Sequence, residues 1–168
     1  GRERMLEWLR AAQLPDGDWQ AYWWDSRHFA TTLAAEALAD AGAPADEARV
    51  RRAVLWTASE VDACAPAGGS PFDKALALRA LLLLTPETLP LAHSVLDALM
   101  LAQREDGSWA PSARLRIPPP HVTDPEAYSP WVEGGRGGGS VQVDQRACFT
   151  TATVLQALCA AERLYEAR

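Results

Sequence analysis

Apolar and polar positions along this 168-residue chain repeat with the period of helices. Between about Glu3 and Ala12, the residues Met5, Trp8, Leu9 and Ala12 make one stripe, with Arg4, Glu7 and Arg10 opposite. That pattern predicts an amphipathic helix. From about Arg27 to Asp40 the chain is apolar or small nearly all round, preceded by Asp25 or Ser26 as a cap and stopped by Gly42. A third helix, about Asp46 to Val61, is amphipathic again, with Val50, Ala53, Val54 and Val61 on one face. Ser70-Pro71-Phe72-Asp73 reads as a helix start, with proline at the first helical position and an acid in the first turn. The helix it opens runs to about Leu84 through a leucine-rich stretch. That stretch is much shorter than a bilayer span and predicts a buried core helix. Two more helices are predicted, at about Leu89 to Gln103 and about Gln145 to Leu164.

Amphipathic and wholly apolar helices therefore alternate, and a repeat underlies the alternation. Gln13-Leu-Pro-Asp-Gly17-Asp-Trp19 returns as Gln103-Arg-Glu-Asp-Gly107-Ser-Trp109, each after a predicted helix. Asp-Gly is a turn signal, because Gly takes positive φ without steric cost. The glutamine is placed to bond backbone groups left unpaired at a helix end, and the Trp can stack beside it. The apolar helices align on one another as Phe29 to Leu38, Phe72 to Leu81 and Phe149 to Leu158, at spacings of 43 and 77 residues. The second spacing is longer because of a Pro/Gly-rich insertion at about 110–143, containing Pro118-Pro119-Pro120 and Gly137-Gly138-Gly139. No helix survives that composition. It reads as a structureless connection, and connections of that length are usually functional or disordered. Three helix pairs of this kind predict one all-α repeat domain over 1–168, with the apolar helices as an inner layer.

Composition narrows the function classes. An apolar fraction of 48% supports a real core. A net charge of −6 argues against nucleic acid or an anionic membrane as partner, and no stretch is long enough for a transmembrane segment. No signal peptide is visible. Cys64, Cys148 and Cys159 are too few and too irregular for a disulfide framework or a metal set. They predict reduced thiols in a cytoplasmic protein. The chain begins with Gly1, which is consistent with a segment of something longer. Gly134 to Gly139 lacks the ending of a phosphate-binding loop, and no cofactor is expected. Trp23, Trp24, Phe29, Phe72 and Phe149 gather at or just before the starts of the apolar helices. The three Phe read either as equivalent core wedges or as lining of a pocket. Trp23 and Trp24, being adjacent, cannot both face one core.

Trp8-Leu9, then Gln13, Gly17 and Trp19, resembles the QW motif of triterpene cyclases, the squalene–hopene and oxidosqualene cyclases. The second copy keeps Leu99, Gln103, Gly107 and Trp109 but has Ala98 at the aromatic position. The resemblance extends to protein prenyltransferase β subunits, and it covers most of the chain outside the insertion. It implies an α/α toroid, of which three inner and three outer helices are half, so that a missing second half or a homo-oligomer would complete it. It implies that the Gln and Trp of each motif are structural and tie outer helices together. It further implies that the aromatic rings and His28 line a pocket for a hydrophobic, isoprenoid-like molecule. Class II members of that family protonate their substrate with an Asp-x-Asp-Asp motif at the start of an inner helix. The matching quartets here are Arg27-His28-Phe29-Ala30, Ser70-Pro71-Phe72-Asp73 and Ala147-Cys148-Phe149-Thr150. Only Asp73 falls on an acidic position, and it reads first as a helix-start residue and second as the acid. The zinc site of the prenyltransferases would need Asp144 and Cys148 two residues apart rather than four, with His93 or His121 as a further ligand. Asp144 reads better as a helix cap, and no metal is expected. Two expectations result: a terpene cyclase-like domain that holds an isoprenoid chain, or a non-catalytic helical-repeat scaffold for a protein or peptide.

Overall fold

The computed structural model describes residues 1–63, 69–84 and 86–166, so Cys64 lies outside the described residues. Among these residues the six expected helices are present: α1 Arg2–Ala12, α2 Arg27–Ala41, α3 Glu47–Ala63, α4 Pro71–Leu81, α5 Leu89–Leu101 and α6 Cys148–Glu166. The leucine run leaves α4 for a single 3-10 turn at Leu82–Leu84. Helix ends follow local chemistry. Gly42 closes α2 in the left-handed region at φ 68°, and its N–H donates to the Ala39 carbonyl. At α4 the cap is Ser70, whose hydroxyl accepts from the Asp73 N–H at 3.1 Å. Asp73 is the third helical residue rather than the cap itself.

Two layers result. Helices α2, α4 and α6 lie side by side with α4 in the middle, while α1 packs on α2, α3 on both α2 and α4, and α5 on α4. The central position explains the composition of α4. Phe72, Leu76, Leu78 and Leu81 are all buried, on every side of the helix. Each such burial contributes about 2–3 kcal/mol. The one Arg in this run, Arg79, is matched across the layer, with Nε donating to Glu36 of α2 at 2.9 Å and Nη1 to Gln156 of α6 at 3.2 Å.

Both Gln-to-Trp turns make the same bonds. Gln13 Nε2 donates to the Gly17 carbonyl at 2.8 Å, and Gln103 Nε2 to that of Gly107 at 3.1 Å. Trp19 Nε1 donates to the Leu9 carbonyl at 2.9 Å, and Trp109 Nε1 to that of Leu99 at 2.7 Å. The Trp N–H groups donate to Thr31 and Thr151 Oγ1, equivalent residues of α2 and α6. One bond differs. Gln13 Nε2 also donates to the Arg49 carbonyl of α3 at 3.0 Å, tying one amphipathic helix to the next, whereas among the described residues the Gln103 amide nitrogen bonds only within its own turn.

The insertion departs from expectation. It holds no helix, but it is not structureless: β1 Arg114–Ile117, β2 Val132–Glu133 and β3 Ser140–Val143 form a sheet in the order β1-β3-β2. β1 runs antiparallel to β3, with Arg116 opposite Val141, and β2 runs parallel to β3. Strands of two to four residues are too short to show a two-residue period. In β1 the one fully buried residue is Arg116, where a charged side chain would be expected to face solvent.

Candidate functional site

The first turns of α2, α4 and α6 point their repeat-equivalent Phe residues at one ring. Trp24 lies 5.1 Å from Phe29, 5.3 Å from Phe72 and 5.6 Å from Phe149, centroid to centroid. Phe29 and Phe72 stack on each other at 6.3 Å. The cluster grades from closed to open: Phe72 is 2% exposed and Phe149 is 60% exposed. Phe72 is thus a core residue, Phe29 is half-buried and Phe149 stands at the surface. They form an aromatic shelf that opens on the α6 side. Trp23 is not part of it. Its ring meets Tyr22 edge-on at 5.1 Å and is largely exposed.

Asp73 follows Phe72 in the same turn of α4. Its Oδ1 accepts from Ser26 Oγ at 2.5 Å and its Oδ2 from Ser70 Oγ at 2.7 Å. Ser26 is the N-cap of α2, yet it makes no cap bond in its own helix. Its hydroxyl instead spans to the next helix of the inner layer. Both hydroxyls can rotate, so they can donate to the carboxylate or accept from a protonated carboxyl. The sequence marks Ser26 and Ser70 only as helix starts, and nothing local reveals that they share one carboxyl.

His28 packs its ring on Trp56 of α3 at 5.0 Å. Its Nδ1 is buried without a hydrogen-bond partner. Burial pushes its pKa below the ordinary 6.5, while the charges of Asp73 and Glu60 pull the other way. The site therefore combines a hydroxyl-bracketed carboxyl, a half-buried imidazole held towards its neutral form, and four aromatic rings. Asp144 Oδ2 accepts from the Thr150 N–H at 2.8 Å and so caps the start of α6. Cys148 is exposed. Among the described residues no group of three or more His, Cys, Asp or Glu side chains could hold a metal ion, and no helix is long and apolar enough to cross a membrane.

Trp19 and Trp109 are buried, while Trp8 is 69% exposed on the outer face of α1.

No protein-family model and no curated protein matches the chain. Solved structures do. The type II terpene cyclase MstE from Scytonema superposes with a TM-score of 0.89 at 35% identity, over 96% of this chain and 51% of that one. A protein from Actinoplanes gives 0.88 at 40% identity, over 96% and 51%. The ent-copalyl diphosphate synthase of Streptomyces platensis gives 0.63 at 24% identity, over 93% and 27%, which speaks for the fold alone. MstE variants have been solved with geranylgeranyl dihydroxybenzoate as substrate and with merosterolic acid A as product. The chain spans about half the length of the MstE and Actinoplanes structures. Across nearly its whole length, the chain has the fold of the type II terpene cyclases.

Proposed function

We propose that this chain is half of an α/α toroid of the class II cyclase type, and that it carries the half of the site that protonates a polyprenyl substrate. The observation that carries the reading is the juxtaposition of Asp73 with the Trp24, Phe29, Phe72 and Phe149 cluster. In the step proposed, the Asp73 carboxyl gives its proton to one carbon of a terminal isoprene double bond. The π pair becomes the new C–H bond, the other carbon becomes a tertiary cation, and Asp73 is left as a carboxylate. Ser26 and Ser70 then donate to that carboxylate. Ring closure moves the cation along the chain, and the rings stabilise it by cation–π attraction of about 0.5–2 kcal/mol each. Loss of a proton to water ends the sequence, and Asp73 regains a proton from solvent. The MstE complexes make a geranylgeranyl chain on a hydroxylated benzoate the first substrate to try.

The exposed Phe149 and the singly bonded Gln103 amide nitrogen support the half-toroid part of the reading. Both lie where a further helix pair would pack. The same openness also favours a second reading, a helical-repeat scaffold that takes a protein or peptide segment across the shelf.

Incubating the chain in D2O with geranylgeranyl dihydroxybenzoate separates the readings. The cyclase reading expects saturable binding and a cyclised product carrying one solvent deuterium. Asp73→Asn should keep binding and lower product formation at least ~100-fold, the scale of a lost general acid. Absence of binding by the unaltered chain would overturn the reading in favour of the scaffold. Undiminished turnover by Asp73→Asn would remove Asp73 from the chemistry.

A further inference from the structure

Trp24 touches all three Phe residues, yet it belongs to no helix. It sits in the connection between the first turn motif and α2. The insertion holds that connection in place. Arg116 of β1 is 5% exposed. Its Nη2 donates to the Ala21 carbonyl at 2.7 Å and to the Trp24 carbonyl at 3.0 Å, and its backbone N–H donates to the Trp23 carbonyl at 2.6 Å. Its Nη1 lies 3.8 Å from Asp25 Oδ1. On either side, the Asp25 N–H donates to the Arg114 carbonyl at 2.9 Å, and Leu115 forms a β-bridge with Trp24. A buried guanidinium that engages backbone carbonyls costs desolvation that a surface strand would avoid. Its planar fork of donors suits several carbonyls at once, in a way that a lysine ammonium cannot reproduce.

We infer that Arg116 is a positioning residue, which sets the depth of Trp24 and so the shape of the aromatic shelf. The insertion thereby acts on the substrate-facing surface mainly through the main chain, with Ala113 as the side chain that packs against the cluster. Arg116 fixes the 21–25 turn through main-chain carbonyls, and the indole of Trp24 is carried to its place between Phe29, Phe72 and Phe149. The consequence for ligand binding rests on the reading of that shelf as an isoprenoid site. The positioning itself does not.

Two measurements test this in the intact chain. The first labels the protein with 5-fluorotryptophan and identifies the Trp24 resonance by its loss in Trp24→Phe. Arg116→Gln should shift or broaden that resonance while those of Trp109 and Trp19 stay in place, and Arg116→Lys should fall between Gln and the unaltered chain. An unmoved Trp24 resonance in a folded Arg116→Gln variant overturns the inference; if that variant does not fold, an unmoved resonance in Arg116→Lys overturns it instead. The second measures the Kd for geranylgeranyl dihydroxybenzoate. Arg116→Gln should weaken binding about tenfold in the unaltered chain and less than about twofold in the Trp24→Phe background, because the two changes share one path. Equal weakening in both backgrounds would mean that Arg116 acts other than through Trp24. If the unaltered chain binds no such ligand, the functional proposal falls, and the fluorine spectra alone decide the role of Arg116.

Discussion

At the scale of single residues, the site is defined by side chains whose partners come from other helices. His28 is the clearest titratable case. Its imidazole lies against Trp56, with Asp73 and Glu60 as the nearby charges, and burial lowers its folded pKa below 6.5. A histidine whose folded pKa lies below its unfolded value binds protons more readily when unfolded. Its stabilising contribution is complete above the unfolded pKa and is lost as the pH falls through about 6.5 towards the folded value. The thermal midpoint should therefore drop between about pH 7.5 and about pH 5.5 in the unaltered chain, and drop less in His28→Gln. Asp46, held low by its bond to Arg10, acts in a different window. Its contribution is lost only as the pH falls below 3.8. Parallel midpoint curves for the two proteins would show that His28 titrates alike in both states.

At the scale of elements, the two turn motifs are a natural comparison. Gly17 and Gly107 both take left-handed φ, at 105° and 82°. A Cβ on Gly17 would stand 2.7 Å from the Arg52 carbonyl oxygen of α3, whereas a Cβ on Gly107 would meet nothing within 4 Å. The first glycine answers to both conformation and packing, the second to conformation alone. Gly107→Ala should cost about 1 kcal/mol, and Gly17→Ala about 3 kcal/mol or more, in urea unfolding. Equal costs would remove the close approach of α3 as a constraint. The same comparison shows why a motif repeated in sequence is not repeated in energy. The first turn has a neighbouring amphipathic helix to bind, through Arg49 and Arg52, and the second has none among the described residues.

At the scale of the whole molecule, apolar surface is left at both ends of the helix rows. Met5 and Trp8 of α1 are 70% and 69% exposed, and Leu101 at the end of α5 is 87% exposed. Isolated apolar residues on a surface are ordinary, but grouped ones mark contact surfaces. We expect the chain to associate as its concentration rises, with light scattering giving a mass above 18.2 kDa. Trp8→Glu combined with Leu101→Glu should return it to the monomer mass. A monomer mass at every concentration, before substitution, would show that these ends do not pair with one another.

Much of the architecture was legible in the residue order. The number, type and alternation of the helices followed from apolar periodicity, because a helix buried on all sides, such as α4, has no polar stripe to carry. The turn motifs were legible because Gln, Gly and Trp act within a few residues of one another. Cap chemistry marked Ser70 and Gly42 for the same reason. The alignment of Phe29, Phe72 and Phe149 put the three rings at equivalent places, but not the single Trp24 that joins them. Tertiary structure alone decided which of two adjacent tryptophans enters the cluster, that the Ser26 hydroxyl serves Asp73 rather than its own helix, and that a Pro/Gly-rich segment folds as a sheet around a buried arginine. The serine and arginine outcomes depend on bonds between residues 47 and 95 positions apart. A local pattern reports the face a residue presents; only the packed chain determines what that face meets.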